Sequence, residues 1–377
     1  MTTYSGLQST YSNTAAQKRM VTDRIILADP YDIAAITALG LKNENKFRFV
    51  NEPHRQYEWL EDAYPLLYDS CAGSNLTTAT DTTTITVTTP ALFHVGDIIQ
   101  IDTEQMYVAS ISSSVLTVVR GFGGDTSVSH AETSVAYIRY SARLEGADSS
   151  DSPYTEFSTG YNYSTIFHKE VNVSRDERLF PNYGASDLLE YRIDKNMDIL
   201  MEQLNRIPYY GKRASGSHTT ARASGGLGTF VTTNATALSS APLTRDFIDT
   251  EFRQIYAAGG MTDLILTDAW GQKKINDFYE GFVSTERSEK IGGMLIKQLL
   301  HPVSGKLASI VVDRHCPSGY MYMLDTRHVG YITIDPFFYE ELAKTGDATN
   351  GEIIGEYGFV CAANKFHSIL SGYSTSA

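Results

Sequence analysis

Two extended segments, residues 47–59 and 161–173, lie roughly 100 positions apart, and each is about 13 residues long. In the second, YNYSTIFHKEVNV puts Tyr161, Tyr163, Thr165, Phe167, Lys169, Val171 and Val173 on one face of a strand, because successive side chains point to opposite sides. At roughly 3.3 Å per residue each segment spans about 43 Å. A globule of about 300 residues has a radius of gyration of only about 20 Å. Strands of that length reach past a compact body, so the pair predicts a protruding hairpin. The competing arrangement, two internal strands, would bury Pro53 in a sheet, where its missing N–H removes a ladder bond.

Between these segments the chain changes character. Short β-rich runs, TTTITV, DIIQID, QMYVASI, VLTVVRGF and SVAYIR, are punctuated by Pro90, Gly96, Gly121, Gly123 and Gly124. That pattern predicts a small all-β domain over 71–140, inserted between the two halves of the hairpin. The stretch ARLEGADSSDSPYTE that follows is polar, acidic and rich in turn formers.

Residues 1–45 carry few large apolar side chains before Ile25, Ile26 and Leu27, so they read as an arm without a core of its own. A short helix is expected over 32–39, with Ile33, Ile36 and Leu39 at helical spacing and Gly40 as its stop. The clearest helix is 185–207, capped by Ser186 or Asp187, with Leu189, Ile193, Met197, Leu200, Leu204 and Ile207 recurring every three or four residues. Its length is about 35 Å. Pro208 ends it, and the Gly- and Ser-rich YYGKRASGSHTTARASGGLGTF that follows predicts a mobile loop. From Leu243 onward helices and strands alternate. Thr244 caps a run with Phe247, Ile248, Phe252, Ile255 and Tyr256, and LILTD feeds a helix around Trp270, Ile275, Phe278 and Phe282. Strands are expected at 296–300, 308–312 and 320–324, and IIGEYGFVCAANKFHSIL closes the chain as a β segment.

The chemistry-bearing patterns are sparse. Lys plus Arg number 31 against 44 Asp plus Glu, a net charge of −13 with no basic cluster, which disfavours tight duplex binding. The polar N-terminus predicts no secretory signal, and no apolar run approaches the roughly 20 residues of a membrane-spanning helix. Cys71, Cys316 and Cys361 are widely spaced and read as free thiols. RGFGG follows a strand but opens no helix, so a phosphate cradle is disfavoured. YYGKRASG lacks the P-loop spacing, the histidines show no HExxH pattern, and GxSxG is absent. No catalytic, cofactor-binding or metal residue is therefore expected, and no enzyme. The 24 Tyr and 16 Phe are mostly core material. Tyr57, Trp59, Tyr161 and Tyr163, on the segments expected to protrude, are the candidate intersubunit contacts, since aromatics with a polar edge suit interfaces.

The order of polar arm, long hairpin, long helix, loop, α/β domain and returning strands resembles the major capsid proteins of tailed bacteriophages with the Hong Kong 97-type fold. VGDIIQIDTEQMYVASI with VLTVVRGFGG, then ARLEGADSSDSPYT, YNYSTIFHKEVNVS, PYYGKR before SGGLGTFVTTN, and GEYGFVCAANKFHSIL look like a subfamily with a β-domain in its extended loop. The resemblance implies an α+β fold. It implies an N-terminal arm at 1–45, an extended loop at 46–70 and 141–175, and the inserted domain at 71–140. The peripheral domain would be 176–243 with 331–377, including the spine helix 185–207, and the axial domain 244–330. It further implies self-assembly through pentamers and hexamers into an icosahedral shell around double-stranded DNA, formed in a host bacterial cytoplasm. Scaffold, portal and decoration proteins are implied partners, with packaged DNA touched only non-specifically. Some members crosslink subunits through a Lys and an Asn. Lys169 lies near the loop, but no motif fixes a pair, so no crosslink is expected. An encapsulin-like compartment and a phage tail or surface-binding protein are the alternatives.

Overall fold

The computed structural model describes residues 31–41, 54–72, 83–143, 145–146, 156–180, 187–279, 283–284, 297–300, 305–344 and 346–375. The first 30 residues, Pro53, most of the acidic tip, Ser186 and Phe282 lie outside them. The chain divides into two compact units, one of residues 1–59 with 160–377 and one of residues 60–159.

Helix α1 (Ala34–Leu39) is closed by Gly40, whose φ of +79° a side chain would disfavour. Six residues cannot sustain a helix alone. Ala34, Ala35, Ile36 and Leu39 are buried in the first unit's core together with Leu200 and Leu204. The arm thus contributes a helix whose core is supplied by later parts of the chain. Strand β1 (Gln56–Glu61) follows.

The second unit is a small β-barrel. Its strands are β2 (Tyr68–Ser70), β3 (Thr84–Thr86), β4 (Asp97–Ile101), β5 (Glu104–Ser112), β6 (Val115–Val119) and β7 (Val135–Ser141), in the order β2-β7-β4-β5-β6-β3. The two ends of that order meet. Cys71 bridges Val87, and the Ala72 N–H donates to the Thr86 carbonyl at 2.8 Å. Closure pairs the strands that would otherwise be sheet edges. Alternation then sends Ile85, Ile99, Ile101, Met106, Val108, Leu116 and Val118 into the interior.

The first unit resumes with β8 (Ser158–Tyr163), which pairs with β1, and β9 (Thr165–Ser174). Helices α2 (Arg175–Leu179), α3 (Leu188–Asn205), α4 (Ile207–Tyr210) and α5 (Leu227–Phe230) follow, then β10 (Ala235–Ala237), α6 (Arg245–Ala257), β11 (Leu264–Thr267) and α7 (Ala269–Phe278). Strands β12 (Val283–Ser284), β13 (Lys297–Leu300), β14 (Leu307–Val312), β15 (Tyr320–Leu324), β16 (Val329–Glu341), β17 (Ala348–Cys361) and β18 (Ser368–Ser371) complete the chain.

These strands make two sheets. The antiparallel β16-β17-β9 carries α3 across one face, with Phe167, Val171, Leu200, Leu204, Ile353 and Phe359 in one core. Arg192 and Asn196 of α3 fasten it by donating to the carbonyls of Asn172 (2.6 Å) and Glu170 (3.2 Å) on β9. The second sheet, β10-β18-β15-β11-β14-β13-β12, is mixed and has α6 and α7 packed on it through Ile248, Phe252, Ile255 and Ile275. Its strand β11 is buried at every position, which is why LILT is uniformly apolar until its last residue.

Several expectations change. The segment 161–173 is not one arm of a long hairpin. It divides at Ser164, where 161–163 continue the six-residue β8 while 165–174 pair with β17 inside the three-stranded sheet. The inward-facing phase reverses across the break, so the seven residues expected on one face do not share one: Asn162 and Ser164 are buried while Tyr161 and Tyr163 are not, whereas Phe167, Val171 and Val173 are buried in β9. The long helix is α3, with Asp187 accepting the Leu189 N–H at 2.8 Å, and Pro208 lies in the first turn of the separate α4. The segment expected to be a mobile loop is tied down. Ala214 and Ala223 exchange backbone hydrogen bonds, and Gly226 N–H donates to the Gly211 carbonyl at 2.9 Å. Finally, β18 joins the seven-stranded sheet together with β11 and β14.

Candidate assembly site

At the base of the β1–β8 ribbon, alternation turns Tyr161 and Tyr163 outward and Asn162 inward, where it is fully buried. The Asn162 amide donates to the carbonyl of Phe359 on β17 (2.6 Å), to Ser224 Oγ (3.1 Å) and to the Gly225 carbonyl (3.1 Å). Its oxygen accepts the N–H groups of Gly225 and Tyr163, both at 2.9 Å. Tyr57 of β1 closes the knot. Its hydroxyl donates to the Phe359 carbonyl (2.9 Å) and accepts the Phe359 N–H (2.8 Å), and burial pushes its ionisation well above the usual phenol range. Gly358 leaves room for that ring, since a Cβ there would stand 2.3 Å from the Tyr57 oxygen. Three segments far apart in sequence are locked through buried polar groups that are each paired.

The four aromatics expected at partner contacts separate into two pairs. Tyr57 and Trp59 lie inside the chain's own packing, at 6% and 9% exposure, with Trp59 against Phe230 at 5.7 Å between ring centroids. Their side chains are covered because β1 lies against β17 and α5 rather than projecting freely. Tyr161 and Tyr163 are half-buried and touch edge to face. The Arg213 guanidinium sits 4.1 Å from the Tyr161 ring centre and donates to the Tyr161 carbonyl at 3.1 Å. Asn162 and Ser224 were not singled out by the sequence. The available signal was a polar residue between two tyrosines, on the strand face opposite to theirs.

In the second unit, the stretch around Pro65 between β1 and β2 has no regular structure and leaves apolar groups in water. Leu60 is 73% exposed, Tyr64 97% and Leu67 63%, and Phe157, just before β8, is 69% exposed. Scattered apolar residues on a surface are ordinary, and a concentration of them is what protein contact surfaces commonly expose. In the same unit, Arg120 and Gly121 at the start of RGFGG donate to the buried carboxylate of Glu104. Among the described residues no group of three or more His, Cys, Asp or Glu could hold a metal ion, and no helix is long and apolar enough to cross a membrane.

The sequence matches the SU10 major capsid protein family over residues 6–374. The chain belongs to that family. A comparison with curated protein sequences finds no match. Among solved structures, the chain is similar to the cyanophage A-1(L) capsid asymmetric unit, with 13% identity, a TM-score of 0.57, and coverage of 98% of this chain and 100% of that one. It is similar also to the capsid of Myoviridae phage XM1, at 7% identity, TM-score 0.50 and coverage of 94% and 96%, and to Microbacterium phage Oxtober96, at 10% identity, TM-score 0.50 and coverage of 96% and 98%. As a major capsid protein of a tailed phage it has the Hong Kong 97-type α+β fold, is a component of the virion shell, and associates with copies of itself. The family match favours this reading over the encapsulin-like and tail-protein alternatives.

Proposed function

We propose that this major capsid protein closes an icosahedral shell through pentamers and hexamers, encloses double-stranded DNA in the host bacterial cytoplasm, and catalyses no reaction. The observation that carries the reading is the exposure of five large apolar side chains, Leu60, Tyr64, Leu66, Leu67 and Phe157. Each such side chain gains roughly 1.5–3 kcal/mol when fully buried, so a surface formed by them favours a second copy over water. Heterologous contacts between identical chains close into rings, and rings that also bind neighbours make shells. Tyr161 and Tyr163 supply further intersubunit contacts. Tyr57 and Trp59 serve the same interface indirectly by fixing the base of the ribbon. The net charge of −13 suits a wall that touches packaged DNA only non-specifically. Scaffold, portal and decoration proteins are the further partners this reading assigns.

Size-exclusion chromatography with light scattering tests these side chains. The wild-type chain is expected in pentamers, hexamers or larger closed assemblies. A Y64S/L67S double variant should shift toward monomer with its circular dichroism unchanged, and an assembly state identical to wild type would refute the assignment.

A further inference from the structure

The net charge of −13 is unevenly placed. Residues 60–159, the second unit, hold three arginines, no lysine and thirteen Asp and Glu residues, and so carry −10 of it. Residues 203–245 are the counterpart, with no Asp or Glu and with Arg206, Lys212, Arg213, Arg222 and Arg245. The fold gathers three of these bases on one surface. Arg213 lies over the Tyr161 ring and donates to the Tyr161 carbonyl at 3.1 Å, and Tyr163 meets Tyr161 edge to face. Arg222 donates from Nε to Ser164 Oγ (3.0 Å) and from Nη2 to Glu356 Oε1 (2.6 Å). Ser164 in turn donates its N–H to the Arg55 carbonyl at 3.0 Å, which places the exposed Arg55 at the same end of the ribbon. Lys212, next to Arg213, is exposed.

Four bases thus stand around Tyr161 and Tyr163 at the base of the β1–β8 ribbon. The surface is built by residues 54–59, 161–165, 211–226 and 356–359, whose carboxylates are Glu58 and Glu356, so it stays cationic in an acidic protein. Tyrosine and arginine side by side are the residues in which interface hot spots are rich. Arg213 is already held by the Tyr161 ring and the ribbon backbone, so it gives up little side-chain freedom on meeting a carboxylate.

We propose that this surface, centred on Tyr161, Lys212 and Arg213, docks the acidic second unit of a neighbouring copy. The contact presupposes the shell-forming function argued above and names the two faces that meet. Second units carrying −10 each repel one another, so neighbouring copies are steered away from like-to-like contact and toward a cationic face. Duplex DNA is the other polyanion that such a face could meet. Its affinity is built from many phosphate contacts, and of the four bases Arg222 is already engaged by Glu356. The second unit, by contrast, is present once for every such surface, and its carboxylates suit the planar fork of a guanidinium.

Carbodiimide coupling of assembled particles tests the contact, because it joins an amine to a carboxylate only where the two touch. Lys212 is the one lysine among the residues that build the surface, and the second unit has none. In particles assembled from a mixture of light and heavy-isotope chain, Lys212 is expected to couple to an Asp or Glu of residues 60–159, with mixed-isotope pairs among the products. Lys212→Glu, at an exposed site, should raise the protein concentration at half-assembly at least about threefold at low salt, with circular dichroism unchanged. The difference should vanish at about 0.5 M salt, where screening leaves a range of only a few ångströms. Particles that form without coupling Lys212 to residues 60–159 of another copy, or a Lys212→Glu chain that assembles like wild type, would overturn the contact and leave the shell-forming function standing. Weaker binding of a duplex of about 100 bp by Lys212→Glu, with assembly unchanged, would give the surface to DNA and overturn the contact equally. A wild-type chain that forms no particle contradicts the shell-forming function, and the contact falls with it.

Discussion

The hydroxyl of Tyr57 and the backbone of Phe359, 302 positions apart in sequence, hold each other in both directions, with O–H donated to the carbonyl at 2.9 Å and N–H received at 2.8 Å. Tyr57→Phe removes both bonds from a buried site. Ser224 and Asn162 still reach Phe359, so the expected loss is about 1–3 kcal/mol, the cost of a partly unsatisfied buried group. Urea unfolding measures it, and Asn162→Ala, which strips more partners, should cost more.

Gly160 faces Trp59 so closely that a Cβ would lie 2.4 Å from the indole nitrogen. Gly160→Ala must therefore displace the indole, and overpacking of this kind costs about 1–3 kcal/mol. Trp59 and Trp270 are the chain's two tryptophans. In a Trp270→Phe background, emission should shift to the red when Gly160→Ala is added.

His367 is fully buried. Its Nδ1 accepts the Asp325 N–H (3.2 Å), so Nε2 carries the hydrogen and donates to the Ala362 carbonyl (2.9 Å). Burial lowers its ionisation from 6.5 to about 4. Between those values the unfolded chain takes up a proton that the folded chain refuses, so stability falls as pH drops from 6.5 to about 4, by roughly 3 kcal/mol in all. Asp325 adds a second loss at lower pH. Burial would raise its carboxyl, but Arg327, His328 and backbone N–H groups hold it far below the usual range. Urea midpoints across this range should decline for wild type, and the upper part of the decline should be absent from His367→Gln.

Asp313, fully buried, accepts from the Ala35 N–H of α1 (3.2 Å), Asn205 Nδ2 (2.8 Å) and the Tyr209 hydroxyl (2.9 Å). Asp313→Ala leaves three buried donors unpaired, with an expected loss of roughly 3–5 kcal/mol. Exchange protection should fall first in α1, which depends on this carboxylate and on Asn205 for its leading N–H groups.

The local features were readable because local chemistry decides them. TTTITV, DIIQID and VLTVVRGF contain β3, β4 and β6, QMYVASI and SVAYIR cover most of β5 and β7, Asp187 caps α3, and Gly40 stops α1. What escaped was set by distant partners. The closure of Cys71 on Val87 and the change of partner at Ser164 leave no mark in periodicity. Tyr57 and Trp59 were legible as aromatics on a strand, but their burial depends on β17 and α5. Asn162 was overlooked for the same reason, because a buried amide looks like a surface residue until its partners are known.

Electron cryomicroscopy of particles assembled from the full chain tests the central claim most directly. Closed shells with five- and six-membered rings are predicted, with Tyr64, Leu67 and Phe157 covered by a neighbouring copy. A chain that forms no closed particle even with its scaffold co-expressed, or shells in which those side chains still face solvent, would contradict it.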